Sequence, residues 1–166
     1  LVAHDFTYRF QAAGVSALVC TADGDAAAQA ELGLEGCPEM RTKILVGGTR
    51  EGWNDFDSEY LRFSSRFERP KDAIAGDDTM IMFFTSGTTG YPKIASHSCT
   101  YALGHFVTAK YWHQVHSDGL HLTISDTGWG KALWGKIYGQ WLCEAAIATF
   151  EFERFDAKYL IPLFAK

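Results

Sequence analysis

The sequence predicts an α/β fold in which strands and helices alternate along the chain and the sheet is at least partly parallel. Three observations predict it: strand-length apolar runs such as Met80-Ile81-Met82-Phe83-Phe84, helix-length stretches such as the alanine-rich segment 25–34, and glycine or proline punctuation between them. In order, Asp5 to Ala13 reads as a helix that Gly14 ends, because glycine takes the backbone conformation of a helix C-terminus without a Cβ penalty. Val15 to Cys20 reads as a strand, Asp25 to Leu34 as a helix and Lys43 to Val46 as a short strand. Phe56 to Phe67 has the pattern of a further helix. The acidic, proline-bearing stretch from Glu68 to Asp78 is the weakest-structured part and the best internal boundary. It separates an α/β portion over 1–78 that carries no specific motif from one over 79–166 that does; both read as parts of one truncated domain. After the boundary come a strand at Thr79 to Phe84, a glycine loop, a short strand at Lys93 to Ser96 and a helix from Ser98 to Val115. A strand at Leu120 to Ile124, a tryptophan-rich segment, a strand at Ala146 to Phe152 and a helix starting at Asp156 complete the order.

Composition supports one folded domain. The chain has 166 residues, 47% hydrophobic and 21% charged, which is enough to build a core. A net charge of −5 argues against a general nucleic-acid surface. No apolar run approaches the roughly 20 residues of a transmembrane helix, and the start has neither the basic region nor the apolar core of a signal peptide, so a cytoplasmic protein is the simplest expectation. Cys20, Cys37, Cys99 and Cys143 are widely separated with no short ligand spacing, which predicts free, reduced and mostly buried thiols. A catalytic Cys99 is the lesser alternative to a packed one. There is no internal repeat. Leu1 is not an initiator methionine, no strand precedes the first helix, and the last helix stops at Phe164-Ala165-Lys166 without a cap, so the chain is expected to be a piece of a larger protein.

The most specific feature is the run Thr85-Ser86-Gly87-Thr88-Thr89-Gly90-Tyr91-Pro92-Lys93 directly after the apolar strand. Glycines let backbone N–H groups approach an anion, the four hydroxyls donate hydrogen bonds and Lys93 brings a mobile positive charge. These are the parts of a polyphosphate-holding loop, with ATP as the expected ligand. It is not the common strand–loop–helix nucleotide motif, because Gly87 and Gly90 enclose only two residues and Tyr91-Pro92 precede the lysine. A Ser/Thr/Gly surface loop would account for the glycines alone, but not for the hydroxyls and lysine together.

The run from Thr85 to Lys93 resembles the signature loop of the adenylate-forming superfamily. Ser125-Asp126-Thr127-Gly128-Trp129, with Trp134, Tyr138-Gly139-Gln140-Trp141 and Ala145-Ala146, resembles the segment that lines the acyl pocket of acyl-CoA synthetases. The continuation Lys93-Ile94-Ala95-Ser96-His97 and the Asp-Thr-Gly-Trp-x-Lys form are similar to the medium-chain branch. The resemblance implies part of the large N-terminal domain of such an enzyme, an acid–thiol ligase of fatty acid metabolism. Its parent would use ATP, Mg2+ and coenzyme A to turn a small carboxylic acid first into an acyl-adenylate and then into a thioester, releasing pyrophosphate and AMP. It implies ATP phosphate binding by Thr85, Ser86, Gly87, Thr88, Thr89, Gly90 and Lys93, and an acyl pocket at Trp129, Gly130, Lys131 and Trp134. No catalytic residue is expected before Lys166, because the family's adenine loop, Thr-Glu motif, ribose-binding aspartate, hinge and catalytic lysine are not found here. The remainder of the polypeptide is thus the first expected partner, and the chain alone is expected to be inactive.

Several residues keep two readings on the sequence alone. Trp129 and Trp134, spaced by Gly128, Gly130 and Gly135, suit an aromatic wall with gaps and suit core packing equally well. Lys131 meets a carboxylate or is solvated. Asp126 reads as a turn residue capping a short helix, with support of the site as the lesser option. His97 is either a supporting group next to the loop or a satisfied core histidine. His105, His113 and His116 fall within an arc of roughly 80° on the predicted helix, yet His105 and His113 stand about 12 Å apart along it, too far to share one ion, so no metal site is assigned. The alternative function, from a different class, is a non-catalytic nucleotide- or phosphate-binding module. A scaffold with a merely decorative loop is a third.

Overall fold

The computed structural model describes residues 1–86, 90–126, 128–150 and 155–165. They form two compact units, Leu1–Ile74 with Ile81–Ser96, and Ala75–Met80 with His97–Lys166.

The first unit opens on α1 (Ala3–Ala13), which buries Phe6 and Phe10 and ends at Gly14. Gly14 has φ +58°, and its N–H returns to the Phe10 and Gln11 carbonyls, the left-handed cap that the sequence predicts. β1 (Ala17–Thr21) and β2 (Thr42–Val46) pair in parallel from Ala17 against Thr42 to Thr21 against Val46. A two-residue β3 (Asn54–Asp55) adds to the far edge of β2, again in parallel. The connection between β1 and β2 is α2 (Ala26–Leu32), as a parallel pair requires. α2 ends at Gly33, where a Cβ would stand 2.7 Å from both the Ala3 carbonyl oxygen and Phe6 Cβ. The close approach of α1 to α2 therefore depends on that glycine.

Two apolar clusters hold this unit. Phe6, Phe10 and Ala30 gather Val15, Leu18, Leu34, Cys37 and Met40. Ala27, Leu45 and Trp53 meet Leu18 and Cys20 on the sheet. At the rim Glu31 collects three donors: Trp53 Nε1 at 2.6 Å, the Arg50 guanidinium with Nε at 3.0 Å, and Lys43 Nζ at 3.7 Å. Arg50 first, then Trp53, holds the Glu31 carboxyl down to about 2.

The helix expected over 56–67 is shorter. α3 (Phe56–Glu59) starts at Asp55, whose carboxylate accepts from Asp57 N–H, and passes into a 3₁₀ turn (Tyr60–Arg62) before Phe63 becomes extended. None of its residues is buried, and Tyr60, Leu61, Phe63 and Phe67 are all exposed. Without an apolar stripe packed on this unit, further turns gain too little to offset their entropy. β4 (Thr79–Thr85) and β5 (Lys93–Ser98) then pair with each other around the glycine loop.

In the second unit, Asp78 and Gly76 carbonyls accept from Cys99 and Thr100 N–H, which sets the start of α4 (Tyr101–Val107). α4 runs on as a π-helical turn (Thr108–Trp112). The helix expected to reach Val115 stops here, because Gln114 adopts φ +55° and Val115 N–H turns back to the Ala109 carbonyl. β6 (Leu120–Leu122) pairs in parallel with β7 (Ala146–Ala148), joined by a helix that is longer than the short one expected after Asp126 in the tryptophan-rich segment. That helix consists of α5 (Gly130–Ala132), a π-helical stretch (Leu133–Tyr138) and α6 (Gly139–Leu142). A Cβ at Gly139 would lie 3.0 Å from Ala109 Cβ and 3.1 Å from the His105 carbonyl oxygen, so glycine lets α6 lie close on α4. Ala109, Val115 and Ala145, with Cys143, form the small core beside them. The strand expected over 146–152 is described only to Ala148 and residues 151 and 152 lie outside the described residues. α7 (Ala157–Leu160), capped by Asp156 as expected, continues as a 3₁₀ turn (Ile161–Ala165). Among the described residues no helix is long and apolar enough to cross a membrane.

Candidate functional site

Of the candidate phosphate-binding residues, Thr85 closes β4, Ser86 follows it, and Lys93 opens β5; all three are exposed, as is Gly90. Gly87, Thr88 and Thr89 lie outside the described residues. Gly90 has φ +92°, a backbone conformation that side chains other than glycine's rarely take. Across the mouth of the loop Thr85 Oγ1 donates to the Lys93 carbonyl at 3.2 Å.

The loop is held from α1. Tyr8 O–H donates to the Pro92 carbonyl at 2.7 Å, and the Tyr8 ring stacks on Tyr91 at 4.6 Å and 20°. On the other flank the same ring meets Phe84 edge-on at 6.2 Å, and the Arg9 guanidinium lies 5.3 Å over Phe84. Tyr8 thus touches residues on both sides of the glycine loop. Nothing in the local pattern at Tyr8 signals this, because its partners stand more than seventy positions away in the chain.

In the second unit the candidate residues separate by environment. Trp134 is 9% exposed and lies at the centre of an aromatic group: parallel on His105 at 5.1 Å and 5°, edge-on to Tyr101 at 5.0 Å and to His97 at 5.3 Å, and tilted against Tyr138 at 5.5 Å. His97 also contacts Tyr101 at 4.3 Å. Burial first, then the neighbouring His97 and His113, lowers the His105 pKa, which favours a neutral imidazole on the indole face. Trp129 is 71% exposed, so it stands in water where Trp134 is packed. Lys131 is exposed and, with His113, Leu122, Thr123, Ile124 and Gly135, lines an open hollow of about 300 Å3. Gly130 begins α5. Asp126 Oδ1 accepts from Gly128 N–H at 2.7 Å and its carbonyl accepts from Trp129 N–H, which makes it the turn residue before that helix.

The histidines do not gather as an ion site: His105 stacks on Trp134 and the His113 ring faces His121 at 6.1 Å. Among the described residues no three His, Cys, Asp or Glu side chains stand together as a metal would need. The four cysteines are free thiols, half-buried, and burial raises that of Cys20.

His121 and Thr123, to which the sequence assigns no role, join Gln140 of the tryptophan-rich segment around the Gly135 carbonyl. Gln140, fully buried, donates through Nε2 to the Gly135 carbonyl at 2.7 Å, and Thr123 Oγ1 donates to the same oxygen at 2.9 Å. His121 Nε2 lies 3.1 Å from Gln140 Nε2 and 2.9 Å from Thr123 Oγ1. In the sequence Gln140 stands between Gly139 and Trp141 with no local mark of burial, and nothing local marks His121 or Thr123.

Residues 1–164 match the family of AMP-binding enzymes. The chain belongs to that family. Its relatives include the human mitochondrial acyl-coenzyme A synthetase ACSM4, 34% identical over 158 residues, and the mouse mitochondrial acyl-coenzyme A synthetase ACSM5, 37% identical over 163 residues. These alignments cover 94% and 97% of this chain and 27% of each relative, so the chain spans about a quarter of their length. Among solved structures, the anthranilate CoA ligase AuaEII in complex with anthranoyl-AMP superposes with a TM-score of 0.78 at 17% identity, over 96% of this chain and 31% of that one. The Brucella canis acyl-CoA synthetase gives 0.78 at 20% identity, over 99% of this chain and 29% of that one. At these identities the superpositions establish the fold: this AMP-binding chain has the architecture found in the N-terminal domains of adenylate-forming enzymes, as the sequence predicts.

Proposed function

We propose that the polypeptide carrying this chain is an AMP-forming acyl-CoA synthetase of the medium-chain type, an acid–thiol ligase, and that this chain alone is inactive. The carrying observation is that the Thr/Gly loop and the tryptophan segment occur together in an AMP-binding chain 34% and 37% identical to proteins named acyl-coenzyme A synthetase.

A carboxylate is a poor electrophile, so its oxygen first attacks the α-phosphorus of ATP and pyrophosphate leaves. The sulfur of coenzyme A then attacks the acyl carbon, and AMP leaves with the bonding electrons. Bringing two anions together is the difficulty this chain addresses. Backbone N–H groups of the loop, the hydroxyls of Thr85, Ser86, Thr88 and Thr89, and the Lys93 ammonium would hold the triphosphate and offset charge on the departing pyrophosphate. The loop hydroxyls would hold Mg2+ together with the nucleotide, and the ion would supply further positive charge against the triphosphate. Tyr8, through Pro92 and Tyr91, fixes the exit of the loop just before Lys93. Trp134, Trp129, Gly130 and Lys131 would line the acyl pocket, with His97 against Trp134 and Asp126 at the turn as supporting groups. The cytoplasm is the proposed compartment.

The test is acid-dependent AMP formation by the whole polypeptide with ATP, Mg2+, coenzyme A and a panel of short, medium and aromatic carboxylates, beside Lys93→Ala and Thr88→Ala. AMP release that needs an acid and falls by about 10²-fold or more in Lys93→Ala is the expected result. No AMP with any acid, together with nucleotide binding that Lys93→Ala abolishes, would establish a non-catalytic phosphate-binding module instead.

A further inference from the structure

Trp134 lies within the π-helical stretch Leu133–Tyr138, where the helix departs from α geometry. Gly139 N–H reaches five residues back to the Trp134 carbonyl, the hydrogen bond of a π turn. The next carbonyl, that of Gly135, accepts two side-chain donors from different elements, Thr123 Oγ1 just beyond β6 and Gln140 Nε2 in α6. A π turn inserts one residue into an α-helix, so its presence or loss changes the direction of the flanking side chains by about 100°. Side-chain donors on the Gly135 carbonyl favour the wider turn.

The arrangement carries a cost. Gln140 is fully buried, and its Oε1 has no hydrogen-bond partner among the described residues. A leucine or methionine of similar volume would remove that unsatisfied oxygen, so the fold alone gives little reason for an amide here. His121, the third member, has its pKa lowered by burial first and by His113 second, which favours the neutral ring whose Nε2 lone pair can accept the second N–H of the Gln140 amide. The network thus joins β6 to the helix at the one residue next to Trp134.

The geometry points to Thr123 and Gln140 as positioning residues that hold the π turn at Trp134, fix the place of its indole against His105 and Tyr101, and thereby set which acyl chain lengths the pocket accepts. Both act through the Gly135 carbonyl. This rests on the reading of Trp134 as a pocket wall, and its first half stands on structure alone.

The experiment uses the whole polypeptide labelled with 5-fluorotryptophan, the Trp134 ¹⁹F resonance being assigned by its loss in Trp134→Phe. In Thr123→Val, which keeps shape and removes the hydroxyl, the Trp134 resonance is expected to shift or broaden while the other tryptophan signals hold, and Thr123→Ser is expected to restore it. The ratio of kcat/KM for longer over shorter straight-chain acids should change by roughly 5-fold or more in Thr123→Val and return in Thr123→Ser. Gln140→Met serves as the second variant should Thr123→Val fail to fold. An unmoved Trp134 resonance in a folded variant would overturn the positioning role. A moved resonance with an unchanged chain-length ratio would overturn the specificity role. Wild-type protein that forms no AMP with any acid would instead overturn the synthetase reading, and the resonance would still decide whether the network positions the indole.

Discussion

The two units solve the same problem, seating a helix against a small parallel sheet, with opposite materials. In the first, α1 and α2 are regular, stop at glycines and bury Phe6, Phe10 and Ala30, while the charged group, Glu31, stays at the rim with its donors. In the second, both long helices pass into π turns, the buried centre includes an amide, and indole, phenol and imidazole rings cluster beside a small core of Ala109, Val115 and Ala145. Apolar burial needs only area and close packing, so it tolerates regular elements; a polar, aromatic interior is directional and bends the backbone to its hydrogen bonds. The first unit reads as scaffold for the loop, the second as a shaped surface.

The sharpest way to break the comparison is to empty each centre. Phe10→Ala should cost about 3–4 kcal/mol by the transfer and cavity terms of an aromatic core residue, enough to unfold much of the first unit, measured as the loss of cooperative denaturant unfolding. A smaller effect comes from the two glycines at which helices meet. Gly33→Ala, whose Cβ would sit 2.7 Å from a backbone oxygen, should cost about 2 kcal/mol. Gly139→Ala, with a nearest approach of 3.0 Å to a methyl group, should cost less than about 1 kcal/mol once the alanine's helix preference is counted. Equal melting shifts for the pair would mean that the second unit packs as tightly as the first.

An effect of similarly small size separates the units by pH. Glu31 has a carboxyl lowered from 4.5 to about 2 in the folded chain, so its contribution is fully present above pH 4.5 and is lost as pH falls toward 2. Glu31→Gln should lower stability by about 1 kcal/mol at pH 7, given that the group is part-exposed, and the difference from wild type should close between those pH values. A gap that persists at pH 2 would place the effect in packing of Trp53, not in charge.

Legibility followed the same division. Gly14, the alanine-rich α2 and the apolar β1 and β2 are local signals, and all are where the sequence places them. Phe56 to Phe67 misled because its aromatic spacing is helical while nothing in its unit covers it, and covering is a tertiary fact. A short helix after Asp126 was legible, but its run to Leu142 was hidden by glycines at 130, 135 and 139, which read as breakers locally and serve at Gly139 as the contact between helices. Of the candidate site, the Thr/Gly loop was visible because its chemistry is contiguous in sequence. The support behind Trp134 was not, since Thr123, Gly135 and Gln140 are brought together only when the carbonyl freed by a π turn needs donors.

The clasp of Tyr8 on Pro92 spans 84 positions. A contact of that separation closes a long loop of chain, whose entropy must be lost before the hydrogen bond and ring stacking return anything. β4 and β5 can meet across their short loop early in folding, but the exit of that loop takes its final course only when α1 has docked. Ordering of the exit of the Thr/Gly loop is therefore a late event in folding, completed by a residue far upstream in the chain.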